Sequence, residues 1–396
     1  MRILQRNEGA PYWLPWAFGA VFSVGAYLNN VKYHGKFNDF WMAFGWLLII
    51  SVMIARRRFK AKPLNQLVVS REGKARVMIL VIVVTGLAVQ YYATAGIPIF
   101  SDSPDTARME FMQATLGFRI LSNFVPFMVL YLTAWFFAAR FKWTNLLILI
   151  FLLVLQIFVG GKASIITLIL LIYFGCLISN KKPSLKVVLI VTGAAAVGTL
   201  LFFRVIMGLD SYSEAAGAVF TRVTETSEYG LYVTVNNVAT QVDSLAPVQF
   251  IFDVFQKYFG AGGGSFTPSL GRQITAQYYG GGVFDYVWEL TVSIFADFYI
   301  LAGWFGVILS YVISWIAFSS FWRLYRKSTK MYVRCFYVFL WFKTVQLIIS
   351  GSIAAQLVIS ILPFIVFWSI GYAILWSGIT RKRTVLSPLL EGEWKP

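Results

Sequence analysis

Charge is scarce in this chain: Asp, Glu, Lys and Arg make up 13% of its 396 residues. That is about half the share usual in soluble domains, and it argues against a chain solvated by water alone. Histidine occurs once, as His34 in a short loop, so no metal site can be assembled from His and Cys ligands. Cysteine occurs twice, as Cys176 and Cys335, both inside apolar stretches, which does not indicate a disulfide framework. The first apolar run, from about Trp13 to Leu28, lacks a small-residue cleavage motif and reads as a span rather than a cleavable leader. Gly260–Gly264 and Gly280–Gly282 have neither the strand-then-helix context nor the Lys-Ser/Thr ending of a nucleotide-binding loop. They read instead as hinges or as places where backbone approaches a bulky ligand. The internal repeat that marks many transporters is also missing.

What the chain has in quantity is apolar and aromatic surface, 58% and 18% of residues respectively. Apolar stretches of about 20 residues, long enough to cross a hydrocarbon core of about 30 Å, recur along it. We place spans at 12–30, 39–55, 77–95, 118–139, 144–160, 163–179, 187–207, 297–319, 332–350 and 354–376. The expectation is an all-α polytopic membrane protein with about ten transmembrane helices. Residues 1–207 form the first part of the bundle, and 297–396 the last three spans with a tail. Between them lies the 89-residue segment 208–296, read as a helical cap because an insertion of that size amid short loops is seldom a mere connector.

The loop charges orient the bundle. The N-terminal tail, 56–76, 140–142, 180–186, 320–334 and the C-terminal tail hold 24 of the 34 basic residues, and only Glu8, Glu72, Glu391 and Glu393 among the acids. That side is expected to be cytoplasmic, with both termini on it. The net charge of +17 is thereby explained by topology and anionic-lipid attraction, without a nucleic-acid partner. The opposite side takes the cap, the "GGKAS" turn and the loop "GIPIFSDSPDTARMEF".

Cations on that outer side run against the positive-inside bias and therefore invite a reason. They include Arg108, Arg119, Lys162, Arg204, Arg222, Lys257 and Arg272. Taken singly, each is a headgroup contact or a local ion pair. Several converging from separate loops would bind a phosphate or pyrophosphate. Among the acids, Glu289 and Asp297 are eight residues apart, which on one continuous helix would turn them 80° from each other toward a shared cavity. A carboxylate at a membrane boundary is a candidate to accept a proton from an attacking hydroxyl. It is equally a helix-start acid favoured by the macrodipole, or a salt-bridge partner of Arg272. Tyr278, Tyr279, Tyr286 and Trp288, with Phe259 and Phe266, could stack on sugar rings or serve as interfacial anchors. Lys343 is a mid-span charge without an obvious partner in sequence.

Three segments resemble a known family. "AGIPIFSDSPDTARMEF" after a hydrophobic span, the hairpin "VGGKAS" with Lys162, and "WELTVSIFADFYILAGWFGVIL" before a late span are similar, in that order, to segments of bacterial oligosaccharide repeat-unit polymerases, the Wzy or O-antigen polymerase group. The layout of ten spans and one large outer loop fits along nearly the whole chain. An arginine-x10-glycine pattern known in some members is absent: the residues eleven after Arg108, Arg204, Arg222 and Arg272 are Arg119, Ala215, Val233 and Val283.

The resemblance implies a GT-C-like, metal-independent integral-membrane glycosyltransferase of the bacterial inner membrane, with no cofactor. It would join undecaprenyl-diphosphate-linked repeat units at the outer face, with a chain-length regulator protein as a further partner. Arg108, Lys162, Arg204, Arg222 and Arg272 are the expected diphosphate ligands, with Arg119 in reserve. Glu289 or Asp297 is the expected base. Two alternatives stay open. An O-antigen ligase usually brings a histidine in its large outer loop, and this loop has none. A flippase of lipid-linked oligosaccharide would be expected to carry charged cavities within the bundle.

Overall fold

The computed structural model describes residues 11–57, 74–101, 107, 123–138, 143–158, 164–179, 193, 196–201, 203–204, 209–221, 227–259, 269–282, 290, 292–349 and 356–376. These are 88% helical and contain no strands. The first six apolar stretches are helices: α1 Trp13–Tyr33, α2 Asn38–Arg57, α3 Lys74–Ala95, α4 Val125–Ala138, α5 Trp143–Phe158 and α6 Ser164–Ile178, while the span expected at 187–207 lies largely outside the described residues. After them come four shorter helices: α7 Tyr212–Thr221, α8 Ser227–Val233, α9 Ala246–Phe259 and α10 Leu270–Tyr279. The last three are α11 Ile294–Lys327, α12 Met331–Ile349 and α13 Leu362–Trp376. Among the described residues, Thr234–Val238 continues α8 as π-helix and Gln356–Ile361 leads as π-helix into α13. Such widenings occur frequently at functional sites.

Among the described residues, two helices, Asn38–Ala55 within α2 and Ile294–Lys327, are long and apolar enough to cross a membrane by length and composition. Met78–Thr94, Val125–Ala138, Leu146–Phe158, Thr167–Ile178 and Leu362–Leu375 are shorter apolar helices. Aromatic side chains lock the elements together. Trp46 of α2 touches Phe295, Tyr311 and Phe318 of α11. A second node joins Phe127 of α4 to Tyr332 and Phe339 of α12 and to Phe364 of α13. T-shaped aromatic pairs of this kind add to the stabilisation from burial alone. They also suit a bundle whose outer surface is itself apolar, where shape and ring contacts must set the packing.

The helix α11 is not one rod. Ala302 (φ −152°, ψ 24°) and Gly303 (φ 59°, ψ −142°) leave helical geometry, dividing it into a short arm, 294–301, and a long arm, 304–327. The rings of Phe295 and Tyr311 stand 5.6 Å apart, whereas sixteen residues of straight helix would separate them by about 24 Å. The short arm therefore folds back antiparallel against the long one. Gly306 permits the close approach, since a Cβ there would collide with the carbonyl oxygen of Phe298. Phe295 also reaches Phe22 of α1, so the short arm is wedged between α1, α2 and the long arm. Only the long arm, about 36 Å by helical rise, has the length of a crossing. The single span that the sequence shows from Asp297 is thus divided, its first residues on the short arm and the remainder, from Trp304, on the long one.

Candidate functional site

Buried polar groups collect where α1 ends and α2 begins. The turn between them requires left-handed backbone at His34 (φ 53°) and Phe37 (φ 58°). Two asparagine amides hold that turn. Asn30 Oδ1 accepts the Phe37 N–H at 2.7 Å, and Asn236 Oδ1, from the π-helical turn after α8, accepts the Lys36 N–H at 3.0 Å. The same two side chains donate to one carboxylate oxygen, Asp39 Oδ1, from Asn30 Nδ2 at 2.7 Å and from Asn236 Nδ2 at 3.2 Å. Asp39 is fully buried. The result is a clasp that ties α2, α1 and the π turn together through one carboxylate. A buried acid held by several N–H donors is well suited to a positioning role.

A second buried acid lies one helix away. Glu228, on the first turn of α8, is 1% exposed, and its Oε2 has no hydrogen-bond partner among the described residues. Burial pushes its carboxyl from an ordinary 4.5 up to about 9. At neutral pH Glu228 is protonated, so this end of the bundle carries a neutral acid able to give up a proton only to a stronger base.

The third is Asp297, 2% exposed, on the first turn of the short arm of α11. The segment before it is extended: the N-cap Ser293 has φ −103° and ψ 168° and is buried. This corrects one expectation from sequence. Because the helix starts at Ile294, the 80° relation between Glu289 and Asp297 along a continuous helix does not hold. The approach to α11 is instead anchored to α10: Leu290 N–H donates to Thr275 Oγ1 at 2.9 Å, and that hydroxyl donates to the Gly271 carbonyl at 2.7 Å.

Of the expected cations, two are described. Arg272 is half-buried on the first turn of α10, whose start is capped by Ser269 Oγ accepting the Arg272 amide at 3.3 Å. Since α10 packs on the π turn and on α8, Arg272 belongs to the same end of the bundle as Glu228. Arg204 sits apart. Its Nη2 donates to the Asp210 carbonyl at 3.3 Å, and its guanidinium lies 4.5 Å from the Tyr212 ring centroid. Its neighbours Phe203 and Ala215 form a small cluster separate from the main core. There Glu214 Oε2 accepts the amides of Asp210 and Ser211, while Ser211 Oγ accepts the Glu214 amide, a reciprocal cap that starts α7. Arg108, Arg119, Lys162, Arg222 and Glu289 lie outside the described residues. Lys343 points its Nζ at the Phe339 ring, 5.5 Å from the centroid.

Sequence reasoning passed over Asn30, Asp39, Glu228 and Asn236. A signal for the first was present in the Asn-Asn pair at the end of an otherwise apolar run. The other three looked like ordinary loop and cap polarity. Among the described residues no group of three or more His, Cys, Asp and Glu side chains could hold a metal ion. Compared with known proteins, the chain matches no family model, no curated protein and no solved structure.

Proposed function

We propose that this chain is a polytopic membrane glycosyltransferase that polymerises undecaprenyl-diphosphate-linked oligosaccharide repeat units at the outer face of the bacterial inner membrane. One observation carries the reading. Two carboxyls, Asp39 and Glu228, are buried near one end of the helical bundle and a third, Asp297, is buried on the folded-back short arm of α11, and short helices bearing Arg272 and several tyrosines pack at the Asp39 and Glu228 end. Buried acids in such a setting are costly and are functional candidates by default. Loop-charge asymmetry supports reading this end as the outer one and both termini as cytoplasmic; ten spans and a GT-C-like layout enter this reading through the family resemblance.

In this reading the acceptor hydroxyl attacks the anomeric carbon of the donor. A glycosidic C–O bond forms, the bond from that carbon to the diphosphate breaks, and undecaprenyl diphosphate leaves with the electron pair. Asp297 takes the hydroxyl proton, with Glu289 as the second candidate. Arg108, Lys162, Arg222 and Arg272 stabilise the charge that develops on the leaving diphosphate. Arg204 has a lesser claim, because its contacts start α7.

A transporter is the second reading, favoured by the re-entrant short arm of α11, since broken helices line the sites of many transporters. Deleting the gene separates the two. A polymerase leaves surface glycan capped with a single repeat unit, whereas loss of a flippase, or of a ligase, abolishes capped lipid altogether. Arg272→Ala should reproduce the single-repeat pattern with the protein still inserted. A normal chain-length ladder in that variant sinks the diphosphate role.

A further inference from the structure

Five tyrosines gather at the same end of the bundle, from three elements far apart in sequence. Tyr33 is the last residue of α1, Tyr229 and Tyr232 lie on α8, and Tyr278 and Tyr279 end α10. Their rings follow one another. Tyr279 meets Tyr278 edge-on at 4.8 Å, and Tyr278 meets Tyr229 edge-on at 6.2 Å. Tyr229 lies 5.4 Å from Tyr33 and stacks on Tyr232 at 6.0 Å. The hydroxyls are tied within the group as well: Tyr229 and Tyr278 share a hydrogen bond of 3.0 Å, and Tyr232 donates to the Tyr33 carbonyl at 3.1 Å. Tyr232 is buried and fixes the base of the group, whereas Tyr33 and Tyr279 are 42% and 46% exposed.

We propose that this row of tyrosines is a carbohydrate-binding platform on which the pyranose rings of the oligosaccharide lie. The proposal rests on the glycan reading above and names a subsite for it. Anchors in a membrane's aromatic belt act singly, each with its ring in the headgroup layer. Here the rings are locked to one another across three elements, which makes a preorganised surface with little side-chain entropy left to lose on binding. Tyrosine also offers what a sugar presents: an apolar ring for the C–H face and a hydroxyl rim for the equatorial O–H groups. Tyr33, Tyr229 and Tyr232 touch one another, with Tyr33 also 5.6 Å from Tyr232, and Tyr278 and Tyr279 extend the group from there, so it is long enough for an oligosaccharide. Along α10, Arg272 precedes Tyr279 by two turns, about 10 Å. A lipid diphosphate near Arg272 would thus leave its attached sugars within reach of the platform.

The test uses the full chain purified into phosphatidylglycerol–phosphatidylethanolamine nanodiscs. The probe is oligosaccharide released by mild acid from the producing cell's own surface polysaccharide, followed by saturation-transfer NMR. Transfer to sugar ring protons is expected with the wild type. Tyr33→Ala and Tyr279→Ala should each weaken binding about tenfold, the scale of one lost aromatic contact, while Tyr279→Trp retains it. Both positions are partly exposed, and unchanged melting temperatures separate loss of the sugar surface from loss of the ring contacts within the group. Equal binding by wild type and alanine variants overturns the platform and leaves the polymerase reading intact. No binding by the wild type overturns the platform too, and the gene-deletion phenotype then decides the function separately.

Discussion

Glu228→Gln separates the electrostatic role of a residue from its packing role, because the amide keeps the shape and cannot ionise. The Glu228 carboxyl is raised by burial to about 9, so the folded state holds a proton that the unfolded chain gives up near 4.5. The sign follows from linkage. The stability associated with the neutral form is full below the unfolded value and is lost as pH rises toward about 9, at no more than about 1.4 kcal/mol per pH unit. Thermal unfolding of the wild type should fall steadily behind Glu228→Gln as pH is raised through that window, and match it in acid. Parallel pH profiles for the two proteins would mean that Glu228 is charged and paired in the folded state. Asp39 differs in having two amide donors on one of its oxygens. Its position beside an asparagine reached from 197 residues away is what sequence reading could not see. An Asp next to Asn38 at a helix start looks like any macrodipole-favoured acid.

At the scale of elements, the decisive feature is the reversal inside α11. "ADFYILAGWFGVIL" has one unbroken hydropathy signal, so a span prediction runs straight through Ala302 and Gly303. Hydropathy counts residues along the chain and carries no information about direction. The reversal depends on two glycines with different tasks: Gly303 supplies a backbone conformation that side chains rarely adopt, and Gly306 admits the Phe298 carbonyl. Gly306→Ala forces a methyl group against backbone that cannot rotate away, and should destabilise by about 1–3 kcal/mol. Gly86→Ala in α3 is the control, since a Cβ there meets nothing within 4 Å. Melting temperature and protease resistance of the purified chain are the readouts. A Gly306→Ala variant as stable as the control would show that the two arms do not close on each other. The helices themselves were legible, because a run of apolar residues of this length has few other ways to satisfy its backbone.

For the whole molecule, orientation is the property on which the functional reading depends. His34 is exposed in the α1–α2 turn, Thr329 is exposed in the α11–α12 turn, and the native Cys176 and Cys335 are both buried. A membrane-impermeant maleimide should therefore label His34→Cys on intact cells and Thr329→Cys only after permeabilisation. The reverse pattern would move the buried acids and the tyrosines to the cytoplasmic face and remove them from any outer-face polymerisation. The sequence by itself determined the helical class, the places of the apolar helices among the described residues and the asymmetry of basic charge between alternate loops. All three are sums over neighbours in the chain, and summing requires no knowledge of the fold. Only the tertiary structure decided that Asn30, Asp39 and Asn236 share a hydrogen-bond network, that Glu228 is shut away from water, and that Asp297 stands on a short arm folded back into the bundle. Those facts depend on which distant side chains meet, and a polar residue looks the same in sequence whether it meets water or another helix.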